Sequence, residues 1–108
     1  MARVNNISDL LEVYEERFKP EKTKGLDAII QLLISGEAGG NYILKIVDGT
    51  FAYEPGIAEE PDITVESSFD DWLKVNKGEA NALTMMMKGK VKIKGSVPLA
   101  MKFQSIFF

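Results

Sequence analysis

Ile7, Leu10, Leu11, Tyr14 and Phe18 recur at the spacing of one helix face, and Glu12, Glu15, Glu16 and Arg17 fall mostly off it. That stripe predicts an amphipathic first helix, capped by Asn6 or Ser8 and stopped at Pro20, because proline cannot donate to the preceding turn. A charged connector, Glu21 to Lys24, leads into alternation: Leu26, Ala28, Ile30, Leu32 and Ile34 take one face, and Asp27, Ile29, Gln31, Leu33 and Ser35 the other. Apolar residues on both faces predict a central strand. Gly36 to Gly40 is a turn signal, after which Tyr42, Leu44 and Ile46 alternate with Ile43, Lys45 and Val47. Asp48-Gly49 predicts a type I′ hairpin, since both residues tolerate positive φ. Thr50 to Glu54 then becomes an antiparallel third strand with Phe51 and Tyr53 on one face.

Pro55-Gly56 ends the hairpin. Past an acidic loop at Glu59, Glu60 and Pro61, Asp62 to Glu66 alternates as a fourth strand with Ile63 and Val65 inward. Ser67 or Ser68 caps a short helix with Phe69, Trp72 and Leu73 inward, and Asp70 and Asp71 in its first turn complement the helix dipole. Lys77-Gly78 closes it. Ala80 to Lys88 is a run of helix formers with Leu83, Met86 and Met87 at i, i+3 and i+4, ended by Gly89. Lys90 to Lys94 alternates as a fifth strand, and Pro98 suits the first turn of a last helix bearing Leu99, Phe103, Ile106 and Phe107. Hairpin-paired strands with helices grouped toward the end place the chain in the α+β class, an antiparallel or mixed sheet with helices on one face.

The 108 residues are 45% hydrophobic and 27% charged, which suits a single domain over residues 1–108 and excludes a disordered chain. There is neither Cys nor His. Thiolate nucleophiles, Cys/His zinc sites, imidazole haem ligands and every triad with a His base are excluded, and most hydrolase chemistry with them. A non-enzymatic protein without a cofactor is therefore expected. A net charge of −3 and only two arginines, Arg3 and Arg17, argue against a nucleic-acid partner. The longest mostly apolar stretch, Leu26 to Ile34, contains Asp27 and falls far short of the roughly 20 residues a membrane span needs. Asp9, Glu12, Glu15 and Glu16 interrupt the region where a signal peptide needs an apolar run, so an exported protein is not expected.

Few features offer chemistry. Gly36 to Gly40 lacks the following helix and the basic residue of a phosphate cradle and reads as a turn. Glu59-Glu60 and Asp70-Asp71 point apart as neighbours and read as loop solvation and helix capping. Lys88, Lys90, Lys92 and Lys94 suit transient contact with anionic lipid headgroups, although a solvated sheet face or protected edge is the plainer reading. The last three elements concentrate bulky apolar residues, including Met85, Met86, Met87 and Met101, which suits core packing or an adaptable apolar site.

Ile34 to Tyr42, the Asp48-Gly49 turn, Pro61 to Ser68 with Asp71-Trp72, and Gly89-Lys-Val-Lys-Ile-Lys-Gly95 followed by Leu99-Ala-Met-Lys102 closely resemble the sterol carrier protein 2 (SCP-2) family. The resemblance runs over nearly the whole chain in the right order. It implies a five-stranded, mostly antiparallel sheet covered on one face by helices, with an apolar tunnel between the layers. The implied ligand is a fatty acid, acyl-CoA, sterol or isoprenoid. The lining it implies is Ile30, Leu32, Tyr42, Leu44 and Phe51 from the strands. The helices would add Phe69, Trp72, Leu83, Met86, Met87, Leu99, Met101 and Phe103. Lys88 to Lys94 or Lys102 would hold an anionic head at the mouth. The last residues carry no peroxisomal Ser-Lys-Leu signal, so a cytoplasmic, stand-alone domain is expected. The alternative is an interaction module whose helix face and Phe107-Phe108 end dock onto another subunit or form a homodimer.

Overall fold

In the computed structural model, residues 3–108 are described, and their order of elements follows the sequence pattern closely. Asn6 caps α1 (Ile7–Arg17) by accepting from the Asp9 amide, which settles the choice between Asn6 and Ser8. A 3-10 turn (Pro20–Lys22) occupies part of the charged connector. It leads to β1 (Ala28–Ser35), β2 (Gly40–Val47) and β3 (Thr50–Pro55). Asp48 and Gly49 take φ of +51° and +73°, the positive pair that a type I′ turn requires.

β4 (Ile63–Ser68) runs straight into α2 (Phe69–Asn76), with Ser68 accepting from the Asp71 amide as its cap. α3 (Ala82–Met87) is shorter than the sequence run of helix formers, because Asn81 caps it by accepting from the Thr84 amide. Gly89 at φ +74° ends it: the Gly89 and Lys90 amides reach back to the Met86 and Met85 carbonyls, satisfying the last turn. β5 (Val91–Gly95) and α4 (Val97–Phe107) complete the chain, with Ser96 as the α4 cap and Pro98 in its first turn.

The five strands form one mixed sheet in the order β3-β2-β1-β4-β5. Every pairing is antiparallel except β1 with β4, where Ile30 lies opposite Ile63 and Leu32 opposite Val65. The central place of β1 explains why both of its faces are apolar. Ala28, Ile30, Leu32, Leu44, Ile46, Ile63, Val65 and Val91 form the floor of the core, and α1, α2 and α4 cover it with Leu10, Leu11, Tyr14, Trp72, Phe103, Ile106 and Phe107.

On the back of the sheet, buried Gln31 donates to the Tyr42 and Gly56 carbonyls at 3.2 and 3.0 Å and accepts from the Ala58 amide at 2.6 Å. It pins the connection that carries the chain from the β3 edge across to β4, which is how a parallel neighbour arises.

Candidate functional site

One buried polar contact ties α1 to α2. Tyr14 donates its hydroxyl to Asn76 Oδ1 at 2.6 Å, and Asn76 Nδ2 donates to the Trp72 carbonyl at 2.6 Å. Burial pushes the Tyr14 phenol far above its ordinary range, against smaller opposing effects of Trp72, Asn76 and the Arg17 charge. Trp72 Nε1 is the one buried side-chain polar atom without a hydrogen-bond partner among the described residues. Arg17, the last residue of α1, donates to the Asn76 main-chain carbonyl at 3.4 Å, so the same asparagine fixes where the arginine stands.

Around this contact lies a cleft of about 760 Å³ between the end of α1, the α2–α3 connection and the end of α4. Small-ligand sites commonly measure about 300–1,000 Å³. Ala80, Ala82 and Phe108 give it apolar surface over the buried Val75 and Phe107, and Arg17, Lys19 and Lys77 place cations around it, with Glu79 as the acidic member. Lys19 already serves the fold. Its Nζ donates to the Phe108 main-chain oxygen at 2.9 Å, where a cation complements the C-terminal dipole of α4. Arg17 keeps most of its guanidinium donors available, and Lys77 is exposed without an ion pair among the described residues. An apolar surface edged by two available cations suits an amphipathic anion.

The residues that the sequence assigned to a tunnel divide into three sets. Ile30, Leu32, Leu44, Phe69, Trp72, Leu99 and Phe103 are buried between the sheet and the helices. Tyr42 and Phe51 are half-buried toward the β3 edge. The inward facing expected of Leu83, Met86, Met87 and Met101 is corrected, because all four are exposed on the outer sides of α3 and α4. On α3 the inward pair is instead Ala82 and Met85, three residues apart. On α4, Leu99 and Phe103 set the buried stripe, which turns Met101 away.

The layer itself is packed. Phe51, Phe107, Phe103 and Trp72 form a row across it with successive ring centroids 4.9, 5.1 and 6.4 Å apart. None of the thirteen assigned residues lines the cleft, and Lys88 to Lys94 and Lys102 stand away from it as well. Sequence reading missed Arg17, Lys77 and Asn76 as a group, since they come from helix ends some sixty residues apart. The available signal was that Arg17 is one of two arginines and ends a helix that also carries the buried aromatic Tyr14.

The fold is a small α+β domain, a mixed five-stranded sheet with helices packed over its core face. The chain belongs to the SCP-2 sterol transfer family, whose model matches residues 7–108. Hydroxysteroid dehydrogenase-like protein 2 of Bos taurus is 30% identical over 108 residues, 97% of this chain but 25% of that protein. The chain thus spans about a quarter of the length of the curated relatives it first matches.

Sterol carrier protein 2 from Yarrowia lipolytica in its apo form superposes with a TM-score of 0.70 at 26% identity, covering 93% of this chain and 88% of that one. The solution structure of palmitated SCP2L2 from Aedes aegypti superposes with a TM-score of 0.74 at 20% identity, covering 95% of each chain. Family membership supports lipid binding in general. No helix among the described residues is long and apolar enough to cross a membrane.

Proposed function

We propose that this protein is a non-enzymatic carrier that binds, and passes on, an amphipathic lipid with a long acyl chain and an anionic head. The observation that carries the reading is the cleft of about 760 Å³ whose lining includes Phe108, Ala80 and Ala82 together with Arg17 and Lys77. The carboxylate would sit against Arg17 and Lys77, and the chain would run over Phe108 toward Ala80 and Ala82. The palmitated state named for the Aedes aegypti structure supports an acyl ligand as the first to try. The cytoplasm is the compartment we propose for this carrier.

Burial of a methylene contributes about 0.8 kcal/mol, so enclosing fourteen yields about 11 kcal/mol against an association cost of about 4–15 kcal/mol. An open cleft that covers half of each methylene would do little more than balance that cost. Micromolar affinity therefore requires that the cleft enclose most of the acyl chain. Titrating saturated fatty acids of increasing length into delipidated protein tests this directly. Each two added methylenes should strengthen binding about fifteenfold if they are enclosed, and about fourfold if half-covered. Arg17→Gln should weaken fatty-acid binding and leave a neutral long-chain alcohol unaffected. Affinity that ignores both chain length and Arg17→Gln would sink the reading.

A further inference from the structure

We propose that the outer sides of α3 and α4 form a docking surface for an anionic lipid bilayer. Leu83 and Met87 stand one turn apart on α3, as do Val97 and Met101 on α4, and they are 65%, 81%, 69% and 69% exposed. The opposite sides of the same helices bury Met85, Leu99 and Phe103, so each stripe is the side turned away from the core. Ala82 of α3 and Gln104 of α4 line one cleft, so both helices border it.

Charge selects the occupant. Of the 13 basic residues, Lys88, Lys90, Lys92, Lys94 and Lys102 lie beyond residue 80, and none of the 16 acidic residues does. A chain of net charge −3 thus ends in a wholly cationic segment. Lys88 directly follows Met87 and Lys102 directly follows Met101, both exposed and neither ion-paired among the described residues. Lys92 and Lys94 contribute less. They sit opposite Glu66 and Thr64 in register, and Lys94 Nζ is 3.9 Å from Glu66.

Helices that lie in a membrane interface combine exposed apolar side chains, which enter the acyl boundary, with lysines that meet anionic headgroups. The first helix shows the reverse, exposing Glu12, Glu15 and Glu16, and would be repelled by the same surface. A symmetric dimer through α3 and α4 would bring lysine against lysine, which disfavours a second copy as the occupant. This surface is separate from the proposed cargo cleft, so each can be tested without the other.

The full chain is sedimented with vesicles of phosphatidylcholine containing about a third phosphatidylserine, and with phosphatidylcholine alone. Binding is expected only with phosphatidylserine, and added salt should weaken it. Lys88→Gln and Lys102→Gln should each lower partitioning about fivefold. Met87→Glu combined with Met101→Glu should abolish it while the unfolding temperature and vesicle-free fatty-acid binding stay unchanged, since both residues are exposed. No serine-dependent binding, or binding that survives the double glutamate variant, overturns the proposal. A dimer split by the same substitutions with no vesicle binding also overturns it and assigns the face to a second copy. Vesicle binding without fatty-acid binding would remove the carrier reading and leave this one standing.

Discussion

Replacing Tyr14 by Phe deletes a single oxygen from the contact between α1 and α2 and keeps the ring that stacks on Phe107 with centroids 5.0 Å apart. Asn76 Oδ1, 2.6 Å from that oxygen, then loses its donor at a residue only 5% exposed. Stranding a buried acceptor costs about 1–3 kcal/mol, which at roughly 4 °C per kcal/mol near this chain length lowers Tm by about 4–12 °C. Urea unfolding followed by Trp72 fluorescence measures the loss, and Tyr14→Phe combined with Asn76→Ala should cost less than the two separate losses added together. A loss below about 0.5 kcal/mol would refute the reasoning, because it would mean that water replaces the hydroxyl.

The same side chain makes an alkaline prediction. Burial raises the Tyr14 phenol above its unfolded value near 10, so above that pH the unfolded chain gives up a proton that the folded chain keeps. Stability is therefore whole below about pH 10 and falls above it, by at most about 1.4 kcal/mol per pH unit for one proton. The Phe variant loses this contribution and should decline less steeply. Some decline remains, because Tyr53 is also raised, by burial and then by its hydrogen bond to Glu15. Equal slopes in the two proteins would refute a buried phenol at this position.

Phe107→Ala removes a fully buried ring that touches Tyr14, Phe51 and Phe103, so it should cost about 3–5 kcal/mol in urea unfolding and weaken fatty-acid binding as well. Gly95→Ala should destabilise by about 1–3 kcal/mol, since Gly95 holds φ +110° and a Cβ there would collide with the Asp62 carbonyl; a smaller loss in thermal melts would mean that the β4–β5 edge yields. Gln31→Leu frees the Gly56 carbonyl and the Ala58 amide, and should speed hydrogen exchange in residues 56–61 ahead of the rest of the sheet.

Local signals carried much of the fold. Asp48-Gly49 adopts the positive φ pair that its composition demands, and the two-sided apolarity of β1 places it at the centre of the sheet. The parallel pairing of β1 with β4 had no comparable marker. It depends on residues 56–61 crossing the back of the sheet, and the glutamine that pins them looks in sequence like any polar residue on the outer face of a strand. Alternation specifies which side chains share a face but says little about which strand lies alongside, because that choice is made by a long-range connection.

The site was less legible for a related reason. Arg17, Asn76 and Phe107 become neighbours only when three helix ends converge, and helical periodicity fixes faces, not the meeting of ends. On α3 the ambiguity runs deeper. Five of its six residues, all but Thr84, are apolar, which allows either Met85 or the pair Leu83 and Met87 to turn inward, and packing against β5 chose Met85. What is left over is informative. Leu83, Met87, Val97 and Met101 contribute nothing to the core, and water alone would favour polar residues at all four positions. The proposed bilayer contact would give that apolar character a use, and the lysines beside Met87 and Met101 match the sign of charge such a surface would present.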